Sequence, residues 1–397
     1  MPCTASLTAG AVQKRNFCSL PTNGERNMKF KTSQSELNKA LNFVSKAVTT
    51  RSTMPILKGI LLKVTADGKL IMTASDMDLS IEKTIAVSDA EEGTIVLPAR
   101  LFTDIIRKLP NEIISSSSGQ FSDVIISTSS SEFKIIGMIA DEFPEIGTVN
   151  ETQKISINRE IFREMIRKTS FAASTDESKG VIVGVLMEMR EGSINMAALD
   201  GFRMAVAKEQ TENSQNTDLI IAARILNEIN KILPESEEED ENLELILDEK
   251  KAVILTEDSR IILRIMEGTF LKYNDLLPKE FATTVHVDRT VLTESIERAS
   301  LFAKEGRNNL IKLNITDDNI QVSSKSEAGN VNENIPVKKT GNDIEIGFNS
   351  KYLLEGLKVI RDTDIVMKFN KNVAPCIMEP VNEGNYTYLL LPVRIMA

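Results

Sequence analysis

Hydrophobic and polar positions along this chain follow two rhythms. Short β-rich runs predict strands, among them Ile60-Leu61-Leu62-Lys63-Val64, Lys69-Leu70-Ile71-Met72-Thr73, Val124-Ile125-Ile126-Ser127 and Ala252-Val253-Ile254-Leu255. Turn signals such as Ala66-Asp67-Gly68 join these runs as hairpins. Six other stretches switch to a helical period, and all six share one grammar. A β-rich run ends in a polar or small residue, and an amphipathic helix of about three turns follows. In Lys29–Val48, Thr32-Ser33-Gln34-Ser35 can cap a helix that presents Leu37, Leu41 and Val44 on one face. The stripe recurs as Phe102, Ile105, Ile106 and Leu109, then as Ile161, Phe162, Met165 and Ile166. It returns as Leu226, Ile229 and Leu233, as Leu292, Ile296 and Ala299, and as Leu353, Leu357 and Ile360.

The spacing makes these six stretches a repeat. Taking Leu37, Phe102, Phe162, Leu226, Leu292 and Leu353 as equivalent anchors, the separations are 65, 60, 64, 66 and 61 residues. One unit, a helix on a few strands, buries too little apolar surface to stand alone. Two units make a domain of about 125 residues, near the common size. The chain therefore reads as an α+β protein of three tandem domains, 28–146, 147–279 and 280–397. The breaks fall near Phe143-Pro144-Glu145 and Leu277-Pro278-Lys279. Residues 1–27 carry neither period and lie ahead of a second methionine, Met28. They read as an upstream extension or a misassigned start. A targeting peptide is the alternative, weakly supported by Lys14, Arg15 and Arg26 against Glu25.

Charge changes the picture. The net charge of −10 argues against a protein that coats nucleic acid with its whole surface. Yet all six helices carry or adjoin cations. The main candidates are Lys39, Lys46 and Arg51, then Arg100 and Arg107, Arg163 and Arg167, Arg224, Arg298 and Lys358. On any one helix these would read as a solvated face. Six equivalent units around an axis would instead gather them into one positive surface. Such a surface suits duplex phosphates without reading sequence. The helices lack the interleaved aromatic residues that single-strand binders stack on bases.

Catalysis is not signalled. The one histidine, His286, sits in a strand-like Val285-His286-Val287 without nucleophile or acid partners. Cys3, Cys18 and Cys376 have no zinc-ligand spacing and make a poor disulfide framework, which suits a reducing compartment. There is no phosphate-binding Gly-Lys-Ser/Thr loop. Carboxylates such as Asp76 and Asp78 form no distinctive metal or acid–base arrangement. No stretch approaches the ~20 apolar residues of a membrane helix. Neither metal nor cofactor is expected.

Several segments in order resemble one family, the bacterial DNA sliding clamp, the beta subunit of the replicative polymerase. They are Met28-Lys29-Phe30, Arg51-Ser52-Thr53-Met54-Pro55-Ile56-Leu57, Leu97-Pro98-Ala99-Arg100, Asp141-Glu142-Phe143-Pro144, Asp200-Gly201-Phe202-Arg203, the crossing from Tyr273 to Lys279, Ile346-Gly347-Phe348-Asn349 and the closing run Tyr388 to Ile395. The resemblance implies a head-to-tail homodimeric ring with helices inside and sheets outside, encircling duplex DNA in the bacterial cytoplasm, at the nucleoid. By motif position, Phe133 and Ile135 of one chain would meet the region of Leu301 of the other. The resemblance also implies a cleft between domains two and three for short apolar peptides of polymerases, clamp loader and repair proteins. Its matching positions are Ile182, Leu199, Gly201, Phe202, Arg203, Met204, Leu389, Leu391, Pro392, Val393 and Arg394. Here the chain departs from the family. It has Lys179-Gly180 for a usual Arg-Pro, Leu199 for Thr and Phe202 for His, and Met396 and Ala397 extend the usual end. A three-domain scaffolding protein without DNA is the alternative reading.

Overall fold

A computed structural model describes residues 28–49, 52–118, 123–147, 153–211, 215–233, 242–248, 250–382 and 384–395. The extension 1–27, like Arg51, lies outside the described residues. The six expected helices form at the six anchors. They are α1 (Gln34–Val44), α2 (Ala99–Lys108), α3 (Arg159–Thr169), α4 (Ala223–Ile232), α5 (Arg289–Ala303) and α6 (Ser350–Val359). Each directly follows a strand, and the sequence says why the chain turns. Ser33, Asn158, Asp288 and Asn349 accept hydrogen bonds from backbone N–H groups of the first turn. Pro98 and Ala222 begin α2 and α4 without a side-chain cap. Every anchor is buried, and the rest of each apolar stripe packs on a sheet.

The strands form four antiparallel sheets, and two of them ignore the domain breaks. An eight-stranded sheet joins the first domain to the second by pairing Leu79–Ala86 with Ser259–Arg264, Ile81 opposite Ile261. A nine-stranded sheet joins the second to the third by pairing Arg203–Gln210 with Tyr386–Leu390, Ala205 opposite Tyr388. Strand alternation sorts the side chains at these joints. Ala205 and Ala207 face the core shared with the helices, whereas Met204 and Val206 face a separate cluster with Phe270 and Tyr273 on the other side. One apolar core holds the stripes of all six helices, so the helices share one side of the sheet layer. Close approach is enforced locally. A Cβ on Gly356 of α6 would sit 2.5 Å from the Tyr388 ring, so only glycine lets this helix lie flush on the closing strand.

Among the described strands, Glu132–Ile136 forms one edge of the five-stranded sheet of the first domain and Gly329–Pro336 one edge of the four-stranded sheet of the third. At the first edge the structure corrects one expectation. Ile135 is only 2% exposed and belongs to the core, while Ile136 is 75% exposed. Phe133 remains partly open, and Leu301 projects from α5.

Candidate functional site

The cleft residues expected from sequence come together at the second joint, but they do different jobs. Leu199, Met204 and Leu389 are buried in the apolar cluster opposite the helices, and Ile182 packs against it. Tyr273 closes this cluster, donating from its hydroxyl to the Glu188 carboxylate at 2.6 Å. Burial, together with that carboxylate, pushes the phenol well above its usual range. Gly201 turns the chain at φ +94. This presents Phe202, which is 56% exposed. The Phe202 ring stacks on Tyr352 with centroids 6.3 Å apart, and the Lys179 ammonium lies 5.9 Å from its centre. Leu391 and Arg394 stay exposed, with Pro392 and Val393 half-buried beside them.

Arg203 points inward. It bonds Asp200 at 3.1 Å, the Phe171 carbonyl at 2.8 Å and the Glu355 carboxylate. Its guanidinium lies against the rings of Phe171 and Tyr352. Asp200 comes from the second domain and Glu355 from α6 of the third, so Arg203 ties the joint rather than facing a ligand. The sequence pattern does not single out Phe171, Tyr352 or Glu355. The only signal for Tyr352 is its place in the first turn of α6, one residue after a cation.

The candidate DNA cations divide by partner. Lys39, Lys46 and Arg100 are exposed, and none has a carboxylate partner among the described residues. Arg107 pairs with Asp104 at 2.6 Å, Arg163 with Glu160 at 3.0 Å, and Lys358 loosely with Glu297 at 3.8 Å. Arg298 is held by Glu333. Arg167 binds Glu164 and the Val359 carbonyl, bridging α3 to α6. Arg224 binds Asp76 at 2.6 Å, and Asp78, across the first joint. Arg167 and Arg224 therefore serve the joints first. A carboxylate at contact also cancels much of the field a phosphate would feel.

This architecture of repeated helix-on-sheet units defines a class, and comparison with known proteins names it. Family models of the DNA polymerase III beta subunit match the N-terminal domain at 28–147, the central domain at 156–272 and the C-terminal domain at 274–394. The beta sliding clamp of Staphylococcus aureus is 34% identical over 89% of this chain and 96% of its own length. Two solved structures superpose at a TM-score of 0.87 and are covered completely by 93% of this chain. They are a DNA polymerase III beta subunit from Eubacterium rectale, 33% identical, and the sliding clamp from Bacillus subtilis, 30% identical. The chain belongs to the bacterial beta sliding clamp family, and its function is that of a DNA polymerase processivity clamp. The scaffolding alternative is not favoured. No helix among the described residues is long and apolar enough to cross a membrane.

Proposed function

We propose that two copies of this chain close head to tail into a ring around duplex DNA, with α1 to α6 of each copy lining the hole. The observation that carries this reading is the single apolar core that holds the stripes of all six helices beneath sheets of which two each run unbroken through one joint. The edge strands Glu132–Ile136 of one copy and Gly329–Pro336 of the other supply the closing contact, with Phe133, Ile136 and Leu301 as apolar positions near it. Edge strands otherwise invite uncontrolled pairing, and a heterologous contact that closes removes both edges. Lys39, Lys46 and Arg100 lead the phosphate contacts, helped by Arg107, Lys358 and Arg51. Weak contacts suffice because the ring, not affinity, retains the DNA, and sliding requires that they stay weak.

Partners dock at the second joint. A short peptide lays apolar side chains across Phe202, Leu391 and Val393. Its tether holds a polymerase, clamp loader or repair protein at high effective concentration on the template. The protein works in the bacterial cytoplasm, at the nucleoid, and performs no chemistry of its own.

The test is retention on DNA of two shapes. The protein is loaded on a nicked circle with a clamp loader and ATP, freed of excess protein by gel filtration, and half the sample is linearised. Retention on the circle with loss from linear DNA is expected. Equal retention on both shapes overturns the ring. Removing Lys39, Lys46 and Arg100 together lowers the salt dependence of direct DNA binding by about one unit of slope per cation.

A further inference from the structure

The first joint repeats the second, hydrogen bond by hydrogen bond. Asp76 accepts from the N–H groups of Asp78 and Leu79 at 3.0 and 2.7 Å, as Asp200 does from those of Phe202 and Arg203 at 2.8 and 3.0 Å. The Arg264 N–H donates to the Asp78 carbonyl at 2.8 Å, as that of Leu391 does to the Phe202 carbonyl at 2.9 Å. The Met266 N–H donates to Ile220, and that of Val393 to Gly347, both at 2.8 Å. Position by position, Asp78 stands for Phe202, Arg264 for Leu391 and Arg224 for Lys351.

What occupies this second copy of the geometry is an open cleft of about 1230 Å³. Its lining includes two exposed methionines, Met54 and Met77. Met77 holds φ +79 at the position where the other joint uses Gly201. A side chain kept in a strained backbone conformation and left exposed points to a use for that side chain. Methionine thioethers adapt to varied apolar partners. The described lining residues carry four carboxylates, those of Asp76, Asp78, Glu177 and Glu267, against the two guanidinium groups of Arg224 and Arg264. Asp76 and Asp78 are occupied by Arg224, with Arg264 also 3.8 Å from Asp78, but Glu177 has no ion-pair partner among the described residues and Glu267 meets only exposed Lys250.

We propose that the cleft at the first joint is a second peptide site, for a short extended segment that carries an apolar residue beside a lysine or arginine. The apolar residue seats between Met54 and Met77, and the cation faces Glu177 and Glu267. The choice of a peptide as ligand rests on reading the second joint as a peptide cleft. The charge preference does not. An acidic segment is disfavoured here and suits the second joint, whose rim carries Lys179, Lys351 and Arg394.

The test uses the full chain labelled with ¹³C-methyl methionine, the Met54 and Met77 signals being assigned from Met54→Leu and Met77→Leu. Two ten-residue probes share a Leu-Phe centre in a Gly/Ser frame, one flanked by lysines and one by glutamates. At about 1 mM the lysine probe shifts the Met54 and Met77 methyl signals and the glutamate probe leaves them. Glu177→Gln with Glu267→Gln weakens the lysine probe about tenfold and leaves the fold intact. Equal shifts with both probes, or none with either, overturn the proposal. Met204 reports the second joint separately. If a polymerase-derived peptide leaves Met204 unmoved, the partner cleft there is overturned, while the Met54 and Met77 signals still decide this one.

Discussion

The two joints of this chain are built on one backbone plan and held by opposite chemistry. At the second joint the turn residues are Asp200-Gly201-Phe202, and buried Arg203 gathers Asp200, Glu355 and two aromatic rings into the interior. At the first joint the same turn reads Asp76-Met77-Asp78. There the tie is Arg224, a half-exposed guanidinium on the cleft wall. A buried, multiply bonded charge is costly to leave without its partner, whereas an exposed pair is screened by water and salt. The second joint is therefore tied by a buried charge and the first by a solvent-exposed one. The two joints share a hydrogen-bond frame and differ in the side chains hung on it.

The largest effect is expected from breaking the buried tie. Arg203→Ala leaves the largely buried Asp200 carboxylate without its guanidinium and Glu355 with only Lys351 at 3.9 Å, and costs about 3 kcal/mol of stability at the second joint. Urea unfolding, followed with hydrogen exchange at 203–207 and 386–390, checks both size and place. Next, Phe202→Ala removes the exposed ring and weakens a polymerase-derived peptide about tenfold, with stability changed by less than about 0.5 kcal/mol. Fluorescence anisotropy and a thermal melt separate the two effects. At the first joint, Arg224→Ala costs about 1 kcal/mol or less, and most of the difference disappears in 1 M salt, where the screening length is about 3 Å. Equal costs for Arg203→Ala and Arg224→Ala would erase the contrast.

Acid probes the same comparison more gently. Burial opposes ionisation of Glu164, but Arg167, Arg361 and Lys168 outweigh it and hold the carboxyl below its ordinary 4.5. Burial likewise opposes ionisation of Asp258, and Lys83 and the Ser259 hydroxyl hold it below 3.8. Both pKa values are lower folded than unfolded, so the unfolded chain takes up protons first. Each carboxylate contributes its full stability above its ordinary value and loses it as pH falls through the depressed one. Exchange protection should therefore stay flat from neutral pH to about 5 and fall only below that. A fall already near pH 6 would implicate other groups.

All six helices were legible in the sequence because a buried stripe at helical spacing is a local pattern, and Leu37 through Leu353 were each buried as expected. The strand pairing at the joints is not legible in the residue pattern, and only the resemblance brings Met204 and Leu389 into one cleft. Nothing near Arg203–Gln210 announces a partner in Tyr386–Leu390, since strand pairing over such distance leaves only generic apolar alternation. For the same reason the sequence reads Arg203 as a peptide-cleft position and Arg224 as a DNA-facing cation, although carboxylates at the joints claim both. At the open edge of the first domain, Phe133-Lys134-Ile135-Ile136 is apolar at adjacent positions, so pattern alone could not choose which isoleucine faces outward. The structure puts Ile135 inside.

The unbroken sheets also impose an order on how the chain is made. Strand Leu79–Ala86 waits for Ser259–Arg264, and strand Arg203–Gln210 waits for Tyr386–Leu390, close to the end of the chain. As the chain emerges from the ribosome, each finished domain carries a bare edge until nearly all of the next has been synthesised. Such late, non-local pairing slows folding and prolongs exposure to mispairing. Strand Tyr386–Leu390 thus completes the middle domain as well as its own, and a chain cut short before Tyr386 leaves two domains unfinished, not one.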